Sequence, residues 1–338
     1  MGNCSPKPRR RPRSSKTPAD PLPPATAAQL HGQETCLIAW RIRVALLYKG
    51  AAVDFVESGT GDPFLLFGSA KVEGSEESLL RYIDKKFGGP QAASAAAARD
   101  GKGTLAGEVV MLQHRSIQRH VEGMVYWARK MSTEGADWRM GRAAEGRRMG
   151  KWYAELVEMM LEHAQMEERL LFPALDRAAD YEICRAANEQ HGRDLPIMNG
   201  IKEDIKSLMA MEVGGLLYRE TLPNLSLRFT TLQEHCKQHF QEEERELLPL
   251  LESAESFRRE EGEEPWPQDR WVQQVVALME ATHSRHFPFF MAALLPCEAL
   301  RYIALIAGDD DRRSLAMLRS VAAALESSPR PSWFDRTQ

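Results

Sequence analysis

The chain has 338 residues, 43% of them hydrophobic and 27% charged, with a formal net charge of −4. That apolar fraction is enough for a packed core and excludes wholesale disorder, and the length suggests two domains of about 100–200 residues each. The longest uncharged apolar stretch, Phe287 to Cys297, contains two prolines and falls far short of the ~20 residues a membrane-spanning helix needs. Five scattered cysteines, with no CxxC pair and no signal-peptide pattern, exclude a disulfide scaffold and point to a reducing, intracellular compartment, the cytoplasm.

Residues 1–27 are rich in Pro, Arg and Ser and have no apolar period, so they read as a disordered leader. Lys7, Arg9, Arg10, Arg11, Arg13 and Lys16 make this arm basic while the rest of the chain is acidic, which argues against a nucleic-acid-binding core. Met1-Gly2-Asn3-Cys4 fits myristoylation at Gly2 with palmitoylation at Cys4, and the basic run would add attraction to an anionic membrane surface. Pro6 stands where acylation signals prefer Ser or Thr, so lipid anchoring to the cytoplasmic face of the plasma membrane is one of two readings, plain solvation of the arm being the other.

Residues 28–88 mix periods. Ile38, Ile42, Ala45 and Leu46 mark an amphipathic helix beginning near Cys36. Val53 to Val56 reads as a strand, Phe64 to Phe67 as a second strand entered through Pro63, and Ser75 to Lys86 as a helix. The Gly/Ala-rich segment 89–104 is the expected linker. Beyond it strand signals vanish. Helical patterns run near 105–131, 147–179, 181–211 and 215–254, then near 269–294 and 297–326, with residues 327–338 as a loose tail. The expected fold class is therefore mainly α: a helical bundle over 105–254 with a C-terminal helical extension over 269–326, preceded by a small α/β domain.

The informative feature is an internal duplication. His163-Ala-Gln-Met-Glu167-Glu168-Arg169-Leu170-Leu171-Phe172-Pro173-Ala174-Leu175 recurs 76 residues later as His239-Phe-Gln-Glu-Glu243-Glu244-Arg245-Glu246-Leu247-Leu248-Pro249-Leu250-Leu251. Upstream of each copy, on a preceding helix, lies another histidine, His114 or His191. Positions i and i+4 share a helix face, so His163 projects with Glu167 and His239 with Glu243. Packing the two helical hairpins together brings all six side chains to one interior. Imidazole with carboxylate there suits iron, zinc or manganese, and the absence of cysteine argues against a closed structural zinc site. Six ligands are too many for one ion and suffice for two. Against this, HxxxE is common on solvated helix faces, but both copies here lie within apolar stretches.

At these residues the chain resembles the hemerythrin-like HHE cation-binding domains, over about residues 105–253. The resemblance implies an up-and-down four-helix bundle holding two non-haem iron ions on His114, His163, Glu167, His191, His239 and Glu243, with Glu167 and Glu243 as bridges. Glu168 and Glu244 are supporting or alternative ligand candidates; His235, one turn before His239 on the same face, is a third, with a structural role favoured for it. The oxygen-carrying members place a second His one turn after the position of His191, where this chain has Leu195 followed by Pro196. They also take their last carboxylate from the position of Glu244. The missing imidazole implies a more open iron. The expected function is therefore binding or sensing of iron, oxygen or nitric oxide rather than simple oxygen storage, with a binding role favoured over an enzymatic one.

Of the other histidines, His120 is turned away from the face of His114 and reads as packing, and His283 and His286 fall in an aromatic cluster with no carboxylate repeat. In the first domain, the Cys36 helix, Pro63 and Glu73-Gly-Ser75 resemble the thioredoxin-like domain of glutathione transferases. This implies Cys36 at a helix start, Pro63 as a cis-proline and Ser75 as a glutathione-holding serine. The segment before Pro63 is too short for the usual second helix, which implies a degenerate docking domain. A glutathione-linked transferase or redox protein, and a scaffold that uses metal only for stability, remain the alternatives.

Overall fold

The computed structural model describes residues 28–59, 61–93, 105–133, 139–175, 181–212, 215–260 and 286–327. The leader with Gly2 and Cys4, most of the linker, His283 and the tail lie outside them. Among the described residues no helix is long and apolar enough to cross a membrane.

The first unit runs β1 (Ala28–Gly32), α1 (Leu37–Tyr48), β2 (Val53–Glu57), β3 (Phe64–Phe67), β4 (Ala70–Val72) and α2 (Glu76–Phe87). The sheet order is β2-β1-β3-β4, with β1 and β2 parallel and the other pairs antiparallel. Both strands and both helices read from the sequence are present. The reading missed β1, whose five residues directly follow the proline-rich arm, and β4, which is only three residues long. β4 folds back on β3 through Gly68, whose φ of 62° suits a two-residue hairpin turn. Gly32 ends β1 where a Cβ would lie 2.8 Å from that of Ala39, so only glycine lets α1 pack this closely.

Inside this unit Lys49 is all but sealed from solvent and pairs with Asp84 at 2.8 Å. Its ammonium also donates to the carbonyls of Gly88 (2.6 Å) and Pro90, while Asp84 accepts from the backbone N–H groups of Ala92 and Ala93. The pair thus ties α1 and α2 to the start of the linker.

The second unit is built from α3 (Leu105–Thr133), α4 (Arg139–Met166), α6 (Tyr181–Ala210) and α7 (Leu216–Glu260). They pack in a closed ring, α3 on α4, α4 on α6, α6 on α7 and α7 on α3. Helices this long measure roughly 40 Å or more, whereas the five residues between successive helices reach at most ~18 Å, so neighbours must run antiparallel. The result is an up-and-down four-helix bundle. After α4 the helix widens into a π-turn at Glu167–Leu171 and closes with α5 (Phe172–Leu175).

Among the described residues the C-terminal extension comprises α8 (residues 286–293), α9 (Pro296–Ala307) and α10 (Asp311–Ser327); most of the helix expected over 269–294 lies outside them. The single helix expected over 297–326 is broken, because Gly308 (φ 58°) and the two aspartates after it end α9 and restart the chain. α9 packs on α3 and α1, and α10 on α1, so the extension holds the α/β unit against the bundle. Polar contacts fix this joint: Arg43 to Glu326 at 2.8 Å, Arg301 to Glu108 at 2.5 Å, and the Tyr48 hydroxyl donating to the Met291 carbonyl at 2.5 Å. Glu298 is its centre, accepting from Arg119 and Arg115 on α3 and from the Leu295 N–H at the start of α9. Burial raises the Glu298 pKa, but the guanidinium of Arg119, the Leu295 N–H and Arg115 outweigh it and hold the carboxyl below the usual glutamate range.

Two outcomes follow from these pairs. Asp84→Ala strands the buried Lys49 ammonium and should cost about 3–5 kcal/mol, read from the urea midpoint. Glu298→Gln should cost about 2 kcal/mol at neutral pH. Because the folded pKa is depressed, that contribution is complete above the ordinary glutamate pKa and is lost as pH falls through the lowered folded value. The gap between the two proteins' urea midpoints should therefore close on acidification, and a gap independent of pH would rule out the ionised carboxylate as its source.

Candidate metal centre

Each bundle helix delivers part of one cluster. α3 supplies His114, α4 with its π-turn supplies His163 and Glu167, α6 supplies His191, and α7 supplies His239 and Glu243. All are buried except His191, which is partly so. Glu167 turns one carboxylate oxygen toward His163 (3.0 Å) and His114 (3.6 Å) and the other toward His191 (3.3 Å). Glu243 likewise faces His239 with one oxygen (3.4 Å) and His114 with the other (3.4 Å). The Nε2 atoms of His191 and His239 are 3.1 Å apart. Two overlapping sets result: His114, His163, Glu167 and Glu243, and Glu167, His191, His239 and Glu243, with the ligand atoms of each set within 4.8 Å of one another. Both carboxylates belong to both sets.

The far side of each imidazole is also held. His114 Nδ1 meets Glu244 at 2.9 Å and His191 Nδ1 meets Glu168 at 3.1 Å. His163 Nδ1 meets the Gln113 oxygen at 2.9 Å and His239 Nδ1 the Gln190 oxygen at 2.5 Å. The amides are themselves oriented, since Gln113 Nε2 donates to the Tyr302 hydroxyl and Gln190 Nε2 to Glu242. An oxygen at every Nδ1 favours the proton there, so that each Nε2 could offer its lone pair to a cation at the centre. Gln113 and Gln190 escaped the sequence reading, although Gln113-His114 and Gln190-His191 repeat along with the rest of the duplication.

As a set of ionisable groups the cluster is divided. Burial lowers His163 and His239. Burial also works against His114 and His191, but the surrounding glutamates outweigh it, raising His114 well above the ordinary histidine range and His191 to about 9. Glu167 is held well below the carboxylate range because His163, His114 and His191 overcome its burial, whereas burial and the charge of Glu167 push Glu243 up.

The residues fit a cation on geometry alone. Among the described residues, the Nε2 atoms of His114 and His163 and all four carboxylate oxygens of Glu167 and Glu243 are buried without a hydrogen-bond partner. Six orphaned acceptors converging on one core are costly unless a positive ion satisfies them. Nitrogen and oxygen donors without thiolate suit borderline divalent metals. Cys236 lies nearby, but burial pushes its thiol up, away from the thiolate form.

The remaining sequence candidates fall elsewhere. His235 pairs with Asp194 at 3.0 Å, outside both sets. His120 is fully buried, bonded to the Phe289 carbonyl and to the Trp152 indole N–H. His286 is buried and pairs with Glu158 at 2.6 Å. In the first unit Cys36 is the half-buried N-cap residue of α1, and Ser75 caps α2 by accepting from the Ser78 N–H. Pro63 precedes β3 through a trans bond, correcting the cis-proline expected from the transferase resemblance: no peptide among the described residues is cis.

No curated protein and no solved structure matches the chain. Residues 106–251, the span that carries all six side chains of the cluster, match the hemerythrin HHE cation binding domain.

Proposed function

We propose that the bundle holds two iron ions and that the protein binds or senses iron, oxygen or nitric oxide through them. The carrying observation is the sharing of Glu167 and Glu243 between the two donor sets. A pair of ions in one core repels itself, and two bridging carboxylates offset that repulsion in a way that separate sites would not. His114 and His163 would hold one ion, and His191 and His239 the other. An iron pair supplies reversible one-electron chemistry and an open position for a small ligand. The protein's own part is to fix the imidazole tautomers through Gln113, Gln190, Glu168 and Glu244 and to keep water out of the His114 side.

Leu195 bears on which half is open. It stands one turn after His191 and contributes no ligand atom, so His191 and His239 are the only imidazoles of their set. The Leu195 side chain is 44% exposed, and the cavity it lines reaches His191 and His239.

Protein produced with iron should carry close to two irons per chain by elemental analysis, with an iron-dependent visible spectrum. His163→Ala or His239→Ala should lower that content while the α/β unit stays folded. Unchanged metal content in both variants would remove the assignment. Gln113→Leu and Gln190→Leu keep every ligand but release an Nδ1, and each should weaken iron affinity by about 10–100-fold in chelator competition. An iron-free, fully folded preparation that takes up no metal would reject the proposal itself.

A further inference from the structure

A cavity of about 340 Å³ opens between α4 and α6 and ends on the imidazoles of His163, His191 and His239. One water molecule occupies about 30 Å³, so a diatomic gas would leave most of this space unused. The size falls within the range of about 300–1,000 Å³ that small organic ligands fill. We infer that the cavity is a binding site for an uncharged organic molecule with an alkyl or aryl body and a single hydroxyl-type oxygen. This inference rests on the cation reading above for the identity of its floor.

The walls carry the chemistry of the assignment. Ile117, Met198 and Phe240 provide a buried apolar lining, and Leu161 and Leu195 stand partly exposed. A polar partner would seldom favour such walls, whereas an apolar body displaces poorly held water from them. No lysine or arginine lines the cavity among the described residues, and Glu168 and Asp194 do, which disfavours a carboxylate or phosphate. A cationic ligand is disfavoured in turn by the imidazoles and by the ions they would hold. Polar capacity is confined to a few points. Gln165 and Asn188 in the lining offer neutral amides that can meet one hydroxyl. Pro196 has no N–H, so the carbonyl of Gly192, four residues back on α6, lacks a helical donor.

The space itself follows from two small residues, Ala164 on α4 and Gly192 on α6, both in the lining. A Cβ added at Gly192 would meet nothing within 4 Å, so this glycine is not required by packing. Glycine within a helix is unfavourable relative to other residues, and here it leaves room.

The test uses straight-chain alkan-1-ols of increasing length, titrated calorimetrically into the full-length iron-loaded chain, with the matching alkanoates as the charged comparison. Affinity should climb about three- to fourfold per methylene until the cavity is filled and then level off. Alkanoates of equal length should bind at least tenfold more weakly. Gly192→Leu and Ala164→Leu each fill the space with a good helix former and should abolish the length dependence while iron content stays at the wild-type level. A flat length series in iron-loaded protein, alkanoates binding as tightly as the alkanols, or full alkanol affinity in both variants would overturn the inference and leave the cation reading standing. A chain that takes up no iron but shows the length series, sensitive to both variants, would overturn the cation reading and leave the apolar cavity in place.

Discussion

Two glutamates facing one another in the middle of a helical bundle are the constraint on which the structure turns. Glu167 and Glu243 have all four of their oxygens buried without a hydrogen-bond partner, and burial opposes the ionisation of both. Side chains of similar volume and no charge would pack this position at lower cost, often by 1–4 kcal/mol in comparable replacements. The acids cost stability here, and the four imidazoles around them each turn an Nε2 toward their oxygens. The apolar residues above and below, such as Leu156, Met159, Leu232 and Phe240, then keep water from competing. Stability has to come from elsewhere, and the length of the four helices and the clasp of α9 on α3 provide it.

The duplication does more than repeat a ligand set. Within each hairpin a glutamine on the first helix orients the histidine on the second, Gln113 for His163 and Gln190 for His239. The outer glutamates cross between hairpins, Glu244 reaching His114 and Glu168 reaching His191. Neither half is complete alone, because each takes from the other both a shared carboxylate and a partner for one Nδ1. Interlocking of this kind makes the centre depend on the hairpins docking in a single register, which a purely apolar interface specifies less sharply.

Much of this was legible in the chain because a repeated HxxxE records a helix face directly, and a repeated upstream His records its neighbour. The roles of Glu168 and Glu244 could not be read the same way. One position further along a helix turns a side chain about 100° away from its neighbour, which marks these residues as outside the centre but does not say what they touch. Gln113 and Gln190 were visible as repeated Gln-His pairs, yet a glutamine beside a histidine carries no chemical signature until tertiary packing supplies its partner. In the first unit, β1 and β4 were missed because three to five residues offer too few alternations to separate a strand from a connection. The break at Gly308 was missed because apolar residues on both sides keep helical spacing, so only the glycine and the aspartates after it signalled the end of α9.

The two halves of the centre, alike in ligands, differ in what surrounds them. His114 lies stacked against Phe240 at 4.1 Å and is fully buried, with Glu167, Glu243 and Glu244 occupying its nitrogen atoms' surroundings. His191 is partly exposed and borders the cavity beside Leu195. Among the described residues, the helix carrying His114 is covered by α9, whereas the principal neighbours of α6 are α4 and α7. Among the described residues the cavity borders His163, His191 and His239 but not His114, so a small molecule reaching the centre meets those three imidazoles first. The two copies of one motif thus differ in access rather than in donors.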